Sequence, residues 1–101
     1  MQNVRILRFL NNKKVSGYKM NEVFLIGNIV TNIDFDFMIN SKNMSISRFV
    51  IKTLDNQIIK LHSYNNLADF AYSKLKENDE DFVYGKLHQD NIQCYYMKKL
   101  L

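Results

Sequence analysis

The sequence predicts an all-β domain: a five-stranded barrel with one helix between the third and fourth strands. Its 101 residues leave room for one domain. The first observation is the apolar run VFLI at residues 23–26, interrupted by Gly27, which is typical of a strand buried on both faces. Glycine inside such a strand predicts a bulge or a sharp bend, as small barrels need for closure. The second observation is a helical period over residues 66–76, between segments of strand-like alternation.

Short, polar-bounded segments define the predicted strands. In order they are residues 22–33 with a half-buried continuation at 34–39, then 45–53, 57–64, 82–87 and 92–99. Residues 54–57, with an Asp-Asn pair at their centre, predict a tight hairpin. Gly85 predicts a second kink, in strand four.

The predicted helix buries one stripe of side chains. Asn65 or Asn66 is expected to cap its start, and the acidic residues at 77–81 are expected to end it and remain solvated. The stripe consists of Leu67, Phe70, Ala71 and Leu75. Three strands, a helix and two further strands are the order of an OB-fold barrel.

Charge divides the chain into two regions. Residues 1–19 contain five of the fourteen basic residues and no acid, whereas residues 20–101 contain nine basic residues and ten acids. We therefore distinguish a basic N-terminal arm, 1–19, from an OB-fold domain, 20–101. The arm is either a partly ordered extension, with Met20 as an alternative start, or a segment that adds phosphate contacts.

Several functional classes find no support in the sequence. No apolar run is long enough to span a bilayer, and Arg8 interrupts the apolar stretch that a signal peptide would need, so we expect a cytoplasmic protein. His62, His88 and Cys94 are too scattered for a zinc site. Because no paired-carboxylate, triad or phosphate-loop pattern occurs, we expect no enzyme activity and no cofactor.

One predicted sheet face combines cations with an aromatic residue. Alternation places Arg48, Val50 and Lys52 outward on strand two, opposite Phe49 and Ile51. On strand three the outward residues are Ile58, Lys60, His62 and Tyr64. Such a face suits single-stranded nucleic acid, because cations neutralise phosphates and flat rings stack on bases. A solvated antiparallel face has the same alternation, and spacing alone leaves both interpretations open.

Four segments resemble the bacterial single-stranded DNA-binding protein family. The stretch MNEVFLIGNIV is similar to that family's first strand, and SRFVIKT to its second. KLHSYNNLADFAYSKLKE resembles its third strand and helix, and FVYGKL its fourth strand. The resemblance covers residues 20–99 and implies an OB-fold that binds single-stranded DNA without catalysis, in replication or repair. Single-stranded RNA is an alternative ligand that the sequence does not separate from DNA.

The chain departs from that family in its loops, aromatics and tail. The loops LDNQ and HQDN are short, the chain has no Trp, and Ile58 stands where the family often has an aromatic residue. The family's acidic-tipped tail has no counterpart, so the chain resembles a minimal member, also similar in length to primosomal replication protein N. These departures, and the charge of the domain, favour the alternative of an OB-fold protein-interaction module with weak nucleic-acid affinity.

Seven residues are predicted to bind nucleic acid: Arg48, Lys52, Lys60, His62, Tyr64, Lys86 and Tyr95. Tyr64 is the clear counterpart of one of the family's stacking aromatics. Other aromatic residues are expected in the core or at a subunit contact, with Tyr95 the weaker candidate for stacking; they are Phe24, Phe82, Tyr84 and Tyr96. A homodimer or homotetramer is expected, because edge strands of small barrels need cover.

Overall fold

The computed structural model describes residues 21–38 and 43–100. Six strands and one helix follow in the order β1 Val23–Ile29, β2 Asp34–Met38, β3 Met44–Thr53, β4 Ile58–Tyr64, α1 Asn65–Lys74, β5 Glu80–His88 and β6 Asn91–Leu100. The predicted basic arm, 1–19, lies outside the described residues.

The sheet closes into a five-stranded barrel. Its strand order is β1-β5-β6-β4-β3, and β1 pairs with β3 to complete the circuit. The β4–β6 pairing is parallel, and the other pairings are antiparallel. The predicted OB-fold barrel with one intervening helix is therefore confirmed.

The first predicted strand is divided in two, so the helix follows the fourth strand rather than the third. β1 pairs with β3 at Gly27–Thr53 and Ile29–Ile51, and β2 pairs farther along β3 from Asp34–Arg48 onward. Between them, the Val30 amide donates to the Val50 carbonyl, and the Val50 amide donates to the Thr31 hydroxyl. Both segments thus follow one path beside β3, with a break where the pairing is replaced by these two bonds.

The two strand glycines permit close backbone approach. β1 keeps an unbroken register with β5 at Gly27, so of the predicted bulge or sharp bend the bulge is absent there. A Cβ at Gly27 would lie 2.9 Å from the Lys52 carbonyl oxygen, where β1 meets β3. At Gly85 the register does shift, and a Cβ would overlap the Gln93 carbonyl oxygen. Side chains at either position would push apart strands that close the barrel.

Burial alternates along β4, and along β3 from Ser47 to Ile51, as a one-sided sheet requires. On β3 the inward side chains include Phe49 and Ile51, and on β4 they include Leu61. Prediction of a doubly buried first strand is wrong for this chain: Phe24 is 63% exposed and Ile26 44% exposed. The barrel wall is one layer thick here, so the outer side of β1 has no layer of the chain to cover it.

The helix covers one end of the barrel core with Ala71 and Leu75. It begins after Tyr64, which forms no side-chain cap, so the expected capping by Asn65 or Asn66 is wrong. Ser45 instead links β3 to the helix by donating toward the Asp69 carboxylate, at 3.2 Å, and the Asn65 carbonyl.

The expected solvation of the acidic run is also wrong in part. β5 begins earlier than predicted, and strand alternation turns Asp81 inward until it is fully buried. Neither of its carboxylate oxygens has a hydrogen-bond partner among the described residues. Burial, followed by the negative charge of Asp79, raises the pKa of Asp81 to about 7.

Candidate nucleic-acid interface

A row of polar side chains crosses five strands on the outside of the barrel. Asp34 of β2 stands opposite Arg48 of β3, which stands opposite His62 of β4. His62 is in register with Gln93 of β6, and Gln93 with Lys86 of β5. We call these residues the central row. The fold thus aligns three predicted site residues from separate parts of the sequence, Arg48, His62 and Lys86, in one row across the strands.

The remaining predicted residues of β3 and β4 flank the central row. Lys60 lies opposite Val50 on one side of it, and Lys52 lies farther along, opposite Ile58. Tyr64 lies on the other side, opposite Ile46, immediately before the helix begins. Residues two apart on a strand are about 7 Å apart, so Tyr64, His62 and Lys60 form an evenly spaced track along β4.

A shallow depression lies beside Arg48 and Lys60. Its lining also includes Thr31, Phe49, Val50 and His62. Polar and nonpolar groups thus lie together beside the central row, a combination that suits a flat ring with polar substituents.

Two of the predicted cations are already paired with acids of this chain. Arg48 donates from Nε and Nη2 to Oδ2 of Asp34, at 3.3 and 3.2 Å, and from Nη2 to Oδ2 of Asp36. These contacts, above all the bond to Asp36, raise the pKa of Arg48 despite its partial burial. Lys60 Nζ lies 3.3 Å from Oδ2 of Asp90, in the turn between β5 and β6.

The other three basic residues of the predicted site, Lys52, Lys86 and His62, are not paired with acids of the described ranges in this way. Within residues 21–38 and 43–100, neither Lys52 nor Lys86 forms an ion pair. Burial lowers the pKa of His62, and the positive charge of Arg48 lowers it further. His62 is therefore neutral at pH 7, so it offers a hydrogen-bonding ring rather than a charge.

Tyr95 lies apart from the track on β4. It sits at the register shift between β5 and β6, and its ring meets Tyr84 edge-on at 5.6 Å. Tyr84 in turn stacks on Phe24 at 4.7 Å. The aromatic face, as we call this outer surface of β1, β5 and β6, comprises Phe24, Phe82, Tyr84, Tyr95 and Tyr96.

These rings are expected from the sequence to lie in the core or at a subunit contact, and the structure contradicts the core alternative for three of them. Phe24, Tyr95 and Tyr96 are each about half exposed or more. The alternation of FVY in strand four places Phe82 and Tyr84 on the same side of β5, and a subunit contact at that side stays a prediction. Only the pairing of β1 with β5 and β6 shows that rings from three strands form one surface.

The described residues contain neither a cluster of metal ligands nor a membrane-spanning helix. No three His, Cys, Asp or Glu side chains of residues 21–38 and 43–100 cluster as a metal site would require. The helical part of the same ranges is too short and too polar to cross a bilayer.

The geometry defines an OB-fold barrel with a polar track on its β3–β4 face. No protein-family model matches the chain, and no curated protein sequence matches it significantly. Solved structures do share its fold. The single-stranded DNA binding protein from Thermus aquaticus matches in a deletion variant with TM-score 0.70, 21% identity, and coverage of 85% of this chain and 43% of the other.

Two further structures agree with that match. Wild-type single-stranded DNA binding protein from Thermus aquaticus gives TM-score 0.68 at 20% identity, covering 81% of this chain and 41% of that one. The SSB domain of a Synechococcus protein gives 0.65 at 16% identity, covering 78% and 94%. The chain spans less than half the length of the Thermus structures. These likenesses establish the shared fold, and the resemblance to primosomal replication protein N stays a prediction.

Proposed function

We propose that this protein binds single-stranded DNA without sequence preference and without catalysis. The observation that carries the proposal is the assembly of Arg48, His62, Lys86, Lys60 and Tyr64 on one open face of the barrel. OB-folds bind oligonucleotides on the corresponding sheet face. The similar structures are of proteins named for the same ligand, which supports the proposal.

Each side chain of the face has a distinct role in this proposal. Lys52, Lys60, Lys86 and Arg48 neutralise phosphates, since a flexible or forked cation along a groove tracks the backbone without reading bases. Tyr64 stacks a base beside the helix start. Neutral His62, which lies between Lys60 and Tyr64 along β4, donates or accepts a hydrogen bond to the DNA strand. Tyr95 lies beside Gln93 on β6, on the aromatic face, so it contacts only a DNA strand that continues past the central row.

The pairing of Arg48 and Lys60 with acids predicts modest affinity. Each phosphate that binds either cation competes with a carboxylate, and the neighbouring carboxylates repel the DNA strand. Short loops and the absence of Trp also limit the area available for stacking. We therefore propose weak-to-moderate affinity. We further propose a cytoplasmic role in replication or repair, with single-stranded RNA as the alternative ligand.

Fluorescence anisotropy with labelled oligo(dT) at several salt concentrations tests the proposal. Tyr64→Ala should weaken binding by roughly 1–3 kcal/mol and leave the salt slope nearly unchanged, because stacking releases no counterions. Leu54→Ala is the control, since Leu54 is exposed in the hairpin between β3 and β4 and lies outside both the central row and the aromatic face. Wild-type protein that fails to bind at about 50 mM salt would overturn the proposal.

The aromatic face favours a second function, that of a protein-interaction module. Its rings are exposed, and β1 continues beyond its pairing with β3, so residues 23–26 pair only with β5 within the described residues. A second copy of the chain would cover both the rings and this edge. We therefore propose a homodimer, or a tetramer of such dimers, built on the aromatic face.

Light scattering tests the assembly separately from DNA binding. We expect a mass of at least twice 12.0 kDa at micromolar concentration. Phe24→Glu should shift the mass to that of the monomer, because it places a charge among stacked rings, whereas Leu54→Glu, at an exposed hairpin position, should not. A wild-type mass near 12.0 kDa would refute this proposal.

A further inference from the structure

Arg48 is held by two acids from one neighbouring strand. Asp34 and Asp36 alternate with phenylalanines on β2, so both carboxylates project to the outer side of the sheet. Asp34 is the direct cross-strand neighbour of Arg48, and Asp36 is two positions farther along. All three side chains remain accessible, with 36% of Arg48, 66% of Asp34 and 57% of Asp36 exposed. The guanidinium is thus occupied at a place that solvent and ligands reach.

The opposite side of β2 fixes the position of these acids. Phe35, between them in sequence, stacks on Tyr72 of α1 with ring centres 4.6 Å apart. Five consecutive residue pairs from Asp34–Arg48 to Met38–Met44 keep β2 in register with β3. Because β2 is held by the sheet and by the helix, Asp34 and Asp36 are presented to Arg48 by the fold itself.

We propose that Asp34 and Asp36 form an internal competitor for the phosphate that Arg48 would bind. This inference rests on the proposed binding of single-stranded DNA. In the free protein the two carboxylates hold the guanidinium, and a strand reaches it only by replacing them. The two acids thereby lower the affinity of this surface for a single phosphate. They favour ligands that present several phosphates at once, because contacts with the neighbouring lysines then offset the loss of the ion pairs.

The exposure of the cluster makes exchange feasible. Exposed ion pairs are weak and screened by salt, so a phosphate with comparable geometry competes with them effectively. The two acids engage Nη2 and Nε of Arg48, so an incoming phosphate must replace them to make a bidentate contact on that edge of the guanidinium. The competitor therefore tunes binding without closing the site.

The experiment measures oligo(dT) affinity as a function of salt for Asp34→Asn/Asp36→Asn. At about 50 mM salt one phosphate contact on a single strand corresponds to a factor of roughly ten in affinity, so full release of Arg48 from the acids should tighten binding by up to that factor and steepen the salt slope by up to about 0.7. Asn preserves side-chain size at these exposed positions. Circular dichroism and thermal melting confirm that each variant is folded.

Two controls separate the competitor from a general charge effect. Asp55→Asn/Glu77→Gln removes the same number of exposed acids at positions that do not contact Arg48. The triple variant Asp34→Asn/Asp36→Asn/Arg48→Ala removes the cation that the two acids hold. We expect this gain in the first double variant, a much smaller gain in the charge-matched control, and loss of the gain in the triple variant.

The outcomes distinguish failure of this inference from failure of the proposed function. If wild type binds but Asp34→Asn/Asp36→Asn binds no tighter, or keeps its gain without Arg48, the competitor is refuted and DNA binding stands. If neither wild type nor the double variant binds at about 50 mM salt, DNA binding itself is refuted, and the competitor with it.

Discussion

Replacing Asp81 by Asn should remove a pH dependence from the stability of the barrel. The Asp81 carboxylate is fully buried and has no hydrogen-bond partner among the described residues. Asp79 and Cys94 are close enough to couple to its charge, and Lys99, its cross-strand neighbour, directs its ammonium toward Asp79 at 3.5 Å. The nearby Phe82 amide offsets only a small part of the cost of burial. The folded protein therefore favours the protonated form.

The sign and the size follow from the raised pKa. A carboxyl whose pKa is 3.8 when unfolded and about 7 when folded binds its proton more tightly in the folded state. Its contribution to stability is fully present below pH 3.8 and is lost as the pH rises through 7. At about 1.4 kcal/mol per pKa unit the whole change is about 4 kcal/mol, of which about 2–3 kcal/mol falls between pH 5 and pH 8.

Urea unfolding followed by circular dichroism at pH 5, 6, 7 and 8 measures this loss. Protein concentration is held fixed, since self-association would also stabilise the folded state. Wild type should lose about 2–3 kcal/mol relative to Asp81→Asn across this range. Glu77→Gln, which removes an exposed carboxylate from the same end of the domain, should follow wild type. A difference between wild type and Asp81→Asn that stays constant from pH 5 to pH 8 would refute the reasoning.

Three further predictions concern barrel closure and phosphate binding. Gly85→Ala should lower the free energy of unfolding by roughly 1–3 kcal/mol in urea titrations, because its Cβ overlaps the Gln93 backbone, and an unchanged midpoint would contradict this. Lys60→Ala or Lys52→Ala should reduce the salt slope of oligo(dT) binding by about 0.7 each, and an unaltered slope would remove that lysine from the phosphate contacts. Deletion of residues 1–19 removes five cations and should flatten the slope further if the arm follows the strand; a truncated protein with the full slope would argue against phosphate contacts by the arm.

Periodicity in the sequence was enough to predict the fold class and the face of β3 and β4. The alternation of Arg48, Val50 and Lys52 against Phe49 and Ile51 is local, because consecutive strand residues point to opposite sides whatever lies around them. The same logic correctly assigned Ile58, Lys60, His62 and Tyr64 to the outside. It failed for Asp81, since a charged residue beside a turn is usually solvated and the sequence gives no sign that β5 has already begun.

What the sequence determined by itself is therefore each strand's inward and outward side and the helix that interrupts them. What only the tertiary structure decided is which strands are neighbours. Closure of the barrel places Lys86 in line with Arg48 and His62, gathers Phe24, Tyr84 and Tyr95 on the adjoining outer surface of β1, β5 and β6, and brings Asp34 and Asp36 against Arg48. These contacts join residues far apart in the chain. Local periodicity fixes the direction of a side chain, whereas its partner depends on strand pairing set by the fold as a whole.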